Sequence, residues 1–193
     1  MIRRCWPAVD ADPDMLAYHD HEWGVPVHDE RKLSEYLVLD AFQAGLSWAI
    51  VLKKRAAFRE AFDDFEPVRM ARFTAARITK LTKNAGIIRN RLKISAAVTN
   101  ARAFLKIQDD FGSFDSFIWQ FVGGKTRQNH WKVLKQIPAR TAESDRMSEA
   151  LYQRGFKFVG STISYAFMQA AGLVNDHLVG CRRHGDLQGR TAG

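Results

Sequence analysis

The stretch Tyr36–Arg55, which reads YLVLDAFQAGLSWAIVLKKR, constrains the fold more than any other part of the chain. Apolar residues recur at helical spacing over residues 33–42, so we expect a helix there. Gly45 interrupts the pattern. Ser47 is a suitable N-cap for a second helix from Trp48 to about residue 62. The chain is therefore predicted to turn sharply at Gly45 between two helices.

A single acidic residue, Asp40, lies inside the apolar run of the first predicted helix. A carboxylate in that position costs free energy unless it is paired or hydrogen-bonded. In one interpretation, Asp40 lies at the helix edge and meets water. In the other, Asp40 and Trp48 face one cavity across the turn at residues 43–46, and the cavity has an aromatic wall and one polar group for recognition. Residues elsewhere in the chain decide between the two.

The composition limits the class of protein. The 193 residues, of which 46% are hydrophobic, suit one compact domain or two closely packed lobes. No apolar run approaches the length that crosses a bilayer, and the first residues lack the core of a signal peptide, so we expect a cytoplasmic protein. The 29 Lys and Arg against 21 Asp and Glu give a net charge of +8, which favours a polyanionic partner.

Helical patterns with cap residues account for most of the chain, and no segment alternates strictly as a half-buried strand does. The longest helix is predicted from about Asn90 to Phe111, with Leu92 among its inward residues. A glycine-bounded hairpin, GFKFVG at residues 155–160, separates two later helices. Residues 184–193 are rich in Gly and Arg and are predicted to be a mobile tail. The sequence thus predicts an all-α fold in which strands are absent.

Both cysteines of the chain belong to a possible metal site. His177 and Cys181 are four residues apart, so on a helical turn both point to one side. With Cys5 and His19 they would complete the closed tetrahedral shell of a structural zinc site, which would join the two ends of the chain. The alternative is two buried thiols and two ordinary histidines. An aspartate adjoins each histidine as a candidate hydrogen-bond partner, at Asp20 and Asp176.

Aromatic residues cluster in the segments around this site and around Asp40. They are Trp6, Tyr18, Trp23 and Trp48. Any single aromatic residue more often belongs to a core. Four of them near one carboxylate suit a slot for a planar ligand, and a basic surface makes a nucleobase turned out of a duplex the natural candidate. The glycines of the hairpin would let a backbone approach, and the helix N-terminus at Ser161 could hold a phosphate.

Four long motifs resemble the bacterial DNA-3-methyladenine glycosylase I family: YHDHEWGVP, QAGLSW with VLKKR after it, NAGIIRNRLKI, and RGFKFVGSTISYAFMQAAGLVNDHLVGC. The similarity runs from about Arg4 to Cys181. It implies an all-α member of the helix-hairpin-helix glycosylase superfamily, with one glycosylase domain of closely packed helical lobes over residues 1–183. A zinc site would join the N- and C-terminal segments of that domain.

The resemblance also implies an activity. It implies a monofunctional repair enzyme that flips 3-methyladenine out of double-stranded DNA into an aromatic pocket and hydrolyses its N-glycosidic bond. We expect no strand-cleaving activity, because no lysine can be assigned as a nucleophile. We also expect the protein to be a monomer. The alternative is a zinc-stapled DNA-binding or damage-sensing protein that has kept the scaffold and has no glycosylase activity.

Individual residues acquire roles through the same resemblance. The zinc ligands are matched by Cys5, His19, His177 and Cys181. The aromatic residues of the base pocket are matched by Trp6, Tyr18, Trp23 and Trp48, of which Tyr18 and Trp48 would stack on the base. Leu46 matches a position near the DNA that would fill the space left by a flipped base. Basic side chains are separate candidates for phosphate contacts: Lys53, Lys54, Arg55, Arg89, Arg91 and Lys157.

Two positions depart from the family's pattern. Asp40 matches its base-recognising glutamate and is one methylene shorter, which sets the carboxylate back by about 1.5 Å, one C–C bond. Met15 matches a pocket tyrosine and has no hydroxyl group. We expect Asp40 to be the catalytic residue, acting by recognising the base and supporting positive charge.

Overall fold

The computed structural model describes residues 4–6 and 11–188. Its helices, in chain order, are α1 (Pro13–His21), α2 (Glu30–Gln43), α3 (Trp48–Ala61), α4 (Pro67–Met70), α5 (Ala75–Leu81), α6 (Arg91–Phe111), α7 (Phe114–Trp119), α8 (Ala142–Gln153), α9 (Ser161–Ala170) and α10 (Arg182–Asp186). Two short strands, β1 (Arg127–Gln128) and β2 (Val174–Asn175), complete the regular structure, apart from single 3₁₀ turns. The all-α fold class is confirmed. None of the helices in these residues is both long and apolar enough to span a membrane.

The long helix α6 begins and ends as predicted. The side chain of Asn90 caps it by accepting a hydrogen bond from the backbone N–H of Lys93, and Gly112 ends it with a positive φ of 81°. One residue of the predicted inward face is wrong, because Leu92 is 73% exposed. Leu92 lies about 200° around the helix axis from the buried Ile94, so both cannot face the same neighbours.

Two corrections concern the C-terminal third of the chain. The strands β1 and β2 pair in parallel, Arg127 with Val174 and Gln128 with Asn175, whereas strands were predicted to be absent. Two-residue strands show no alternation that a sequence pattern could detect. The predicted tail begins inside α10, where His184 and Leu187 are buried, so residues 184–188 belong to the folded body. The rest of that prediction, residues 189–193, lies outside the described residues.

Helix α2 is buried along most of its length and belongs to both hydrophobic clusters of the fold. Leu33 and Tyr36 pack in a cluster with α7, α8 and α9. Leu39 and Phe42 pack in a second cluster with α3, α4 and α5. Helix α6 likewise contributes its C-terminal half to the first cluster and its N-terminal half to the second. Because α2 is buried on both sides, Asp40 near its C-terminus is also buried.

An ion-pair network connects the end of α1 to α2 and α3. Both terminal nitrogens of Arg55 donate to the carboxylate of Glu22 at 2.8 Å, and its Nε donates to Glu35 at 2.8 Å. Burial opposes ionisation of Glu22, but the hydrogen bonds and the charge of Arg55 outweigh it and lower the pKa of Glu22 to about 2. The Arg55 side chain is 13% exposed. The prediction that Arg55 contacts phosphate is therefore wrong, because its guanidinium is buried between two carboxylates.

We predict that Arg55→Met destabilises the protein strongly, because it leaves the buried Glu35 and the partly exposed Glu22 without their main partner. Breaking a buried pair in this way costs about 3–5 kcal/mol. Arg59→Met is the matched control, since Arg59 also pairs with Glu35 but its side chain is 45% exposed. Loss of the Arg59–Glu35 ion pair should lower the free energy of unfolding by less than about 1 kcal/mol. Thermal melting of both variants checks this, and equal melting temperatures would contradict it.

Candidate functional site

A cavity of about 310 Å³ opens where α1, α2, α3 and α9 meet. Its lining residues are Trp6, Met15, Tyr18, Trp23, Asp40, Gln43, Trp48, Ala166 and Gln169. The structure thus brings together every residue that was predicted to contact the base, with Asp40 among them. Sequence reasoning missed Gln43, Ala166 and Gln169. Ala166 and Gln169 are three residues apart on α9 and share one face, a signal that the sequence does contain. The volume is at the lower end of the range of about 300–1,000 Å³ for small-molecule sites.

Two aromatic pairs form much of the cavity wall. The rings of Trp6 and Trp23 meet edge to face, with 5.0 Å between their centroids. The rings of Tyr18 and Trp48 are 5.2 Å apart and inclined by 50°. These are the distances of aromatic pairs in direct contact. A planar ligand that stacks between Tyr18 and Trp48 therefore requires the two rings to separate.

Asp40 is a buried carboxylate that forms no ion pair with any residue in the described part of the chain. Its residue is 3% exposed, and its Oδ2 has no hydrogen-bond partner among the described residues. Burial raises the pKa of Asp40 well above that of an ordinary aspartate. The indole Nε1 of Trp48 is likewise buried without a partner in the described residues. Two buried polar groups left unpaired in one cavity indicate a polar ligand, because leaving such a group unpaired costs about 1–3 kcal/mol.

Leu46 lies beside the cavity, in the turn between α2 and α3, and is 37% exposed. Side chains from α2 and α6 hold this turn by donating hydrogen bonds to its backbone carbonyls. The side-chain nitrogen of Gln43 donates to the carbonyl of Leu46 at 3.0 Å. The buried amine of Lys93 donates to the carbonyls of Phe42 and Ala44, at 2.9 and 2.6 Å. This arrangement presents Leu46 at the surface on a restrained backbone.

Lys157 lies in the segment between α8 and α9, where a hairpin was predicted, and its side chain is exposed. Asn100 holds the backbone of Lys157 by accepting from its N–H and donating to its carbonyl, at 2.8 and 2.9 Å. The next residue, Phe158, has a positive φ of 55°, which is uncommon for a large side chain.

The remaining residues that were predicted to contact phosphate differ in their exposure. Lys53, Arg89 and Arg91 are exposed, whereas Lys54 is half-buried and donates to the carbonyls of Ala85 and Gly86.

The two cysteines and two histidines predicted as metal ligands meet in one buried cluster, which we call the Cys2His2 cluster. Its members are Cys5, His19, His177 and Cys181, and their ligand atoms all lie within 4.8 Å of one another. The Nδ1 of His177 lies 3.3 Å from the sulfur of Cys5 and 3.7 Å from that of Cys181. A tetrahedral ion with two sulfur and two nitrogen ligands separates these atoms by about 3.4–3.8 Å. The four residues fit a metal ion.

The far nitrogens of both histidines are held by acceptors, which leaves the near nitrogens available to a metal. The Nδ1 of His19 donates to Asp20 at 2.7 Å, and the Nε2 of His177 donates to the carbonyl of Trp23 at 2.9 Å. The prediction for Asp20 is therefore confirmed. The prediction for Asp176 is wrong, because its carboxylate accepts hydrogen bonds from other residues and none from His177.

The helical body and the aromatic cavity with its buried carboxylate are those of a helical DNA glycosylase. The chain belongs to the methyladenine glycosylase family, whose family model matches residues 6–184. It is 49% identical over 181 residues to the DNA-3-methyladenine glycosylase 1 of Escherichia coli K12, covering 93% of this chain and 96% of that protein. It is 46% identical over 181 residues to the DNA-3-methyladenine glycosylase of Haemophilus influenzae, covering 94% and 97%.

Solved structures agree with this assignment. A crystal structure of 3-methyladenine DNA glycosylase I superposes with a TM-score of 0.90 at 49% identity, covering 93% of this chain and 98% of that one. A structure of the Staphylococcus aureus enzyme, described as the structural basis of 3-methyladenine recognition, has a TM-score of 0.87 at 40% identity, covering 89% and 91%.

The burial of Asp40 predicts that Asp40→Asn stabilises the protein at neutral and higher pH. The folded state retains the Asp40 proton at pH values where the unfolded carboxyl, with an ordinary pKa of 3.8, has lost it. The stability of the wild type therefore falls as pH rises through that window, and a neutral amide removes the penalty. We expect a higher melting temperature at about pH 8 and a smaller gain at about pH 5.

Asp109→Asn, at an exposed position of α6, is the matched control for this experiment. It should change the melting temperature neither at about pH 8 nor at about pH 5. A gain for Asp40→Asn that is independent of pH would contradict the argument. Each 1 kcal/mol relieved should raise the melting temperature by roughly 2–4 °C in a domain of this size.

Proposed function

We propose that this chain is a monofunctional DNA glycosylase that hydrolyses the N-glycosidic bond of 3-methyladenine in double-stranded DNA. The observation that carries the proposal is the buried carboxylate of Asp40, with one unpaired oxygen, in an aromatic cavity of a methyladenine glycosylase family member. Such a cavity takes a planar base only after the base has left the duplex stack.

The charge of the substrate explains why this cavity needs so little acid–base chemistry. Methylation at N3 makes the adenine cationic, so the base is already a good leaving group. Aromatic faces attract a cation, and the wall formed by Trp6, Tyr18, Trp23 and Trp48 supplies several of them. Burial raises the pKa of Asp40, and a cationic base beside it favours the ionised carboxylate. Unmodified adenine is neutral and lacks this favourable pairing. The cavity therefore favours the damaged base over the unmodified one.

The residues that line the cavity also support a hydrolytic reaction without strand cleavage. In the described part of the chain they include no lysine that could attack the sugar and form a Schiff base. Water is then the nucleophile, and Asp40 acts by holding the base and by supporting the positive charge that develops on the sugar as the bond breaks. Leu46 fills the gap in the duplex, and the exposed Lys157 contacts a phosphate.

We assign zinc to the Cys2His2 cluster, because two thiolates and two imidazoles in a closed tetrahedron are its usual structural ligands. The ion supplies no step of the reaction. It joins the N-terminal segment to residues 177–181, and each histidine adjoins a cavity residue. His19 follows Tyr18, and His177 donates to the carbonyl of Trp23. Zinc therefore holds two aromatic rings of the cavity in place.

We predict one zinc ion per chain and a structural effect of its removal. Cys181→Ser should abolish zinc binding and lower the melting temperature by more than about 5 °C, since structural zinc contributes several kcal/mol or more to folding. Metal analysis of protein purified without chelator and thermal melting check both points. His21→Asn is the control, because His21 adjoins the cluster segment but is exposed and outside it. Unchanged metal content in Cys181→Ser would refute the assignment.

The activity itself is tested by base release from duplex DNA treated with a methylating agent, with the excised bases identified by chromatography. We expect the wild type to release 3-methyladenine and Asp40→Asn to release it about 10²–10³-fold more slowly, because an amide cannot support positive charge. Asp109→Asn should keep the wild-type rate. Equal, near-background release by the wild type and Asp40→Asn would favour the alternative of a DNA-binding protein without glycosylase activity.

The two departures from the family's pattern are tested with the same assay. If the shorter Asp40 and Met15 form an adjusted pocket, Asp40→Glu should give little gain or a loss through crowding. A large gain from Asp40→Glu, alone or with Met15→Tyr, would show instead that the present pocket is poorly fitted to the base.

A further inference from the structure

Asp176 is a second buried carboxylate near the cavity, and it differs from Asp40 in being fully hydrogen-bonded. It is 1% exposed and pairs with no cation among the described residues. Its Oδ1 accepts from Asn129 at 2.7 Å and from the indole of Trp131 at 2.8 Å. Its Oδ2 accepts from the hydroxyl of Tyr165 at 2.7 Å and from the amide of Gln169 at 2.8 Å. Four neutral donors thus hold one carboxylate in a fixed orientation.

Gln169 connects this carboxylate to the cavity. A carboxylate is only an acceptor, so the Nε2 of Gln169 must face Asp176 and the Oε1 must face the other way. The Oε1 has no hydrogen-bond partner among the described residues, and Gln169 lines the cavity. The backbone is restrained at the same point, because the Gln169 carbonyl accepts from the N–H of Gly24 at 3.0 Å. The Oε1 of Gln169 is therefore a hydrogen-bond acceptor in the cavity, and the carboxylate of Asp176, outside the cavity, fixes its orientation.

Gln43 also lines the cavity, but it is held differently. Its amide donates to the carbonyl of Leu46 in the exposed turn, where water competes for both groups. The amide of Gln169 is tied to a buried carboxylate instead. Gln169 is therefore the better restrained of the two amides, and a restrained acceptor can discriminate between ligands that differ in one hydrogen-bonding group.

We propose that Gln169 is a specificity-determining residue whose Oε1 accepts a hydrogen bond from the exocyclic amino group of the bound adenine, and that Asp176 is the positioning residue that fixes its amide. The inference rests on the proposed function and names a recognition element of that site. An amino group at position 6 has hydrogens to donate, and one of them meets the Oε1 of Gln169. A purine with an oxygen at position 6 places an acceptor against an acceptor and leaves both unpaired.

The test compares two free bases, 3-methyladenine and 3-methylhypoxanthine, which carries an oxygen in place of the amino group. Binding is followed at about pH 8 through the fluorescence of the cavity tryptophans. Gln169→Leu should weaken binding of 3-methyladenine by roughly five- to tenfold, the worth of one hydrogen bond. Binding of 3-methylhypoxanthine should be unchanged or tighter. Gln153→Leu is the matched control, because the amide of Gln153 also donates to a carboxylate but lies exposed on α8.

Asp176→Asn tests the positioning role. The new amide nitrogen donates to the Oε1 of Gln169, so the Gln169 amide turns and presents its NH₂ group to the cavity. The preference should shift towards 3-methylhypoxanthine. Adding Gln169→Glu should restore the preference for 3-methyladenine, because the Glu side chain accepts from the new amide and again presents an oxygen. A merely structural role for Asp176 would not produce this reversal and rescue.

The two variants decide the question separately. If Asp176→Asn loses its fold, as judged by metal content and melting, Gln169→Leu decides alone. An equal loss of affinity for both bases, or no change for either, overturns the inference. A wild type that binds free 3-methyladenine but releases none from methylated duplex DNA contradicts the proposed function and leaves the inference standing. A wild type that binds neither base overturns both.

Discussion

The Cys2His2 cluster is the interaction on which the cavity depends, because it brings both ends of the described chain to one point. Cys5 and Cys181 are separated by nearly the whole sequence, yet both lie within reach of the same two imidazoles. The far nitrogen of His177 holds the backbone of Trp23, and His19 is the neighbour of Tyr18. The Cys2His2 cluster and the aromatic wall are therefore connected, so a metal ion bound at the cluster would also restrain the wall of the cavity.

Four carboxylates of the fold, three of them buried, have three different kinds of surroundings. Glu22 and Glu35 are neutralised by Arg55, which ties α1, α2 and α3 together. Asp176 is satisfied by four neutral donors and holds Gln169 in one orientation. Asp40 alone of these four has a buried oxygen without a partner in the described residues, and it faces the cavity. The burial of this unpaired oxygen costs free energy, which a cationic ligand in the cavity would offset.

The position of Asp40 follows from the double burial of α2. A helix that packs in two hydrophobic clusters has no face left for solvent, so a carboxylate on it must be paired or must face a ligand. The turn after α2, held by Lys93 and Gln43, then places Leu46 at the surface beside the same cavity. The carboxylate proposed to recognise the base and the residue proposed to enter the duplex are thus six residues apart in one continuous segment.

Local patterns in the sequence determined the long helices, the helical break at Gly45, and the Cys and His residues of the cluster. Its motifs also identified the family and the aromatic residues of the cavity. What only the tertiary structure decided are contacts between distant segments: the pairing of Arg55 with Glu22, the partners of Asp176, the burial of His184, and the place of Gln169 in the cavity. Local spacing determines which face of a helix a residue occupies, but the neighbours that meet that face are set by packing across the chain.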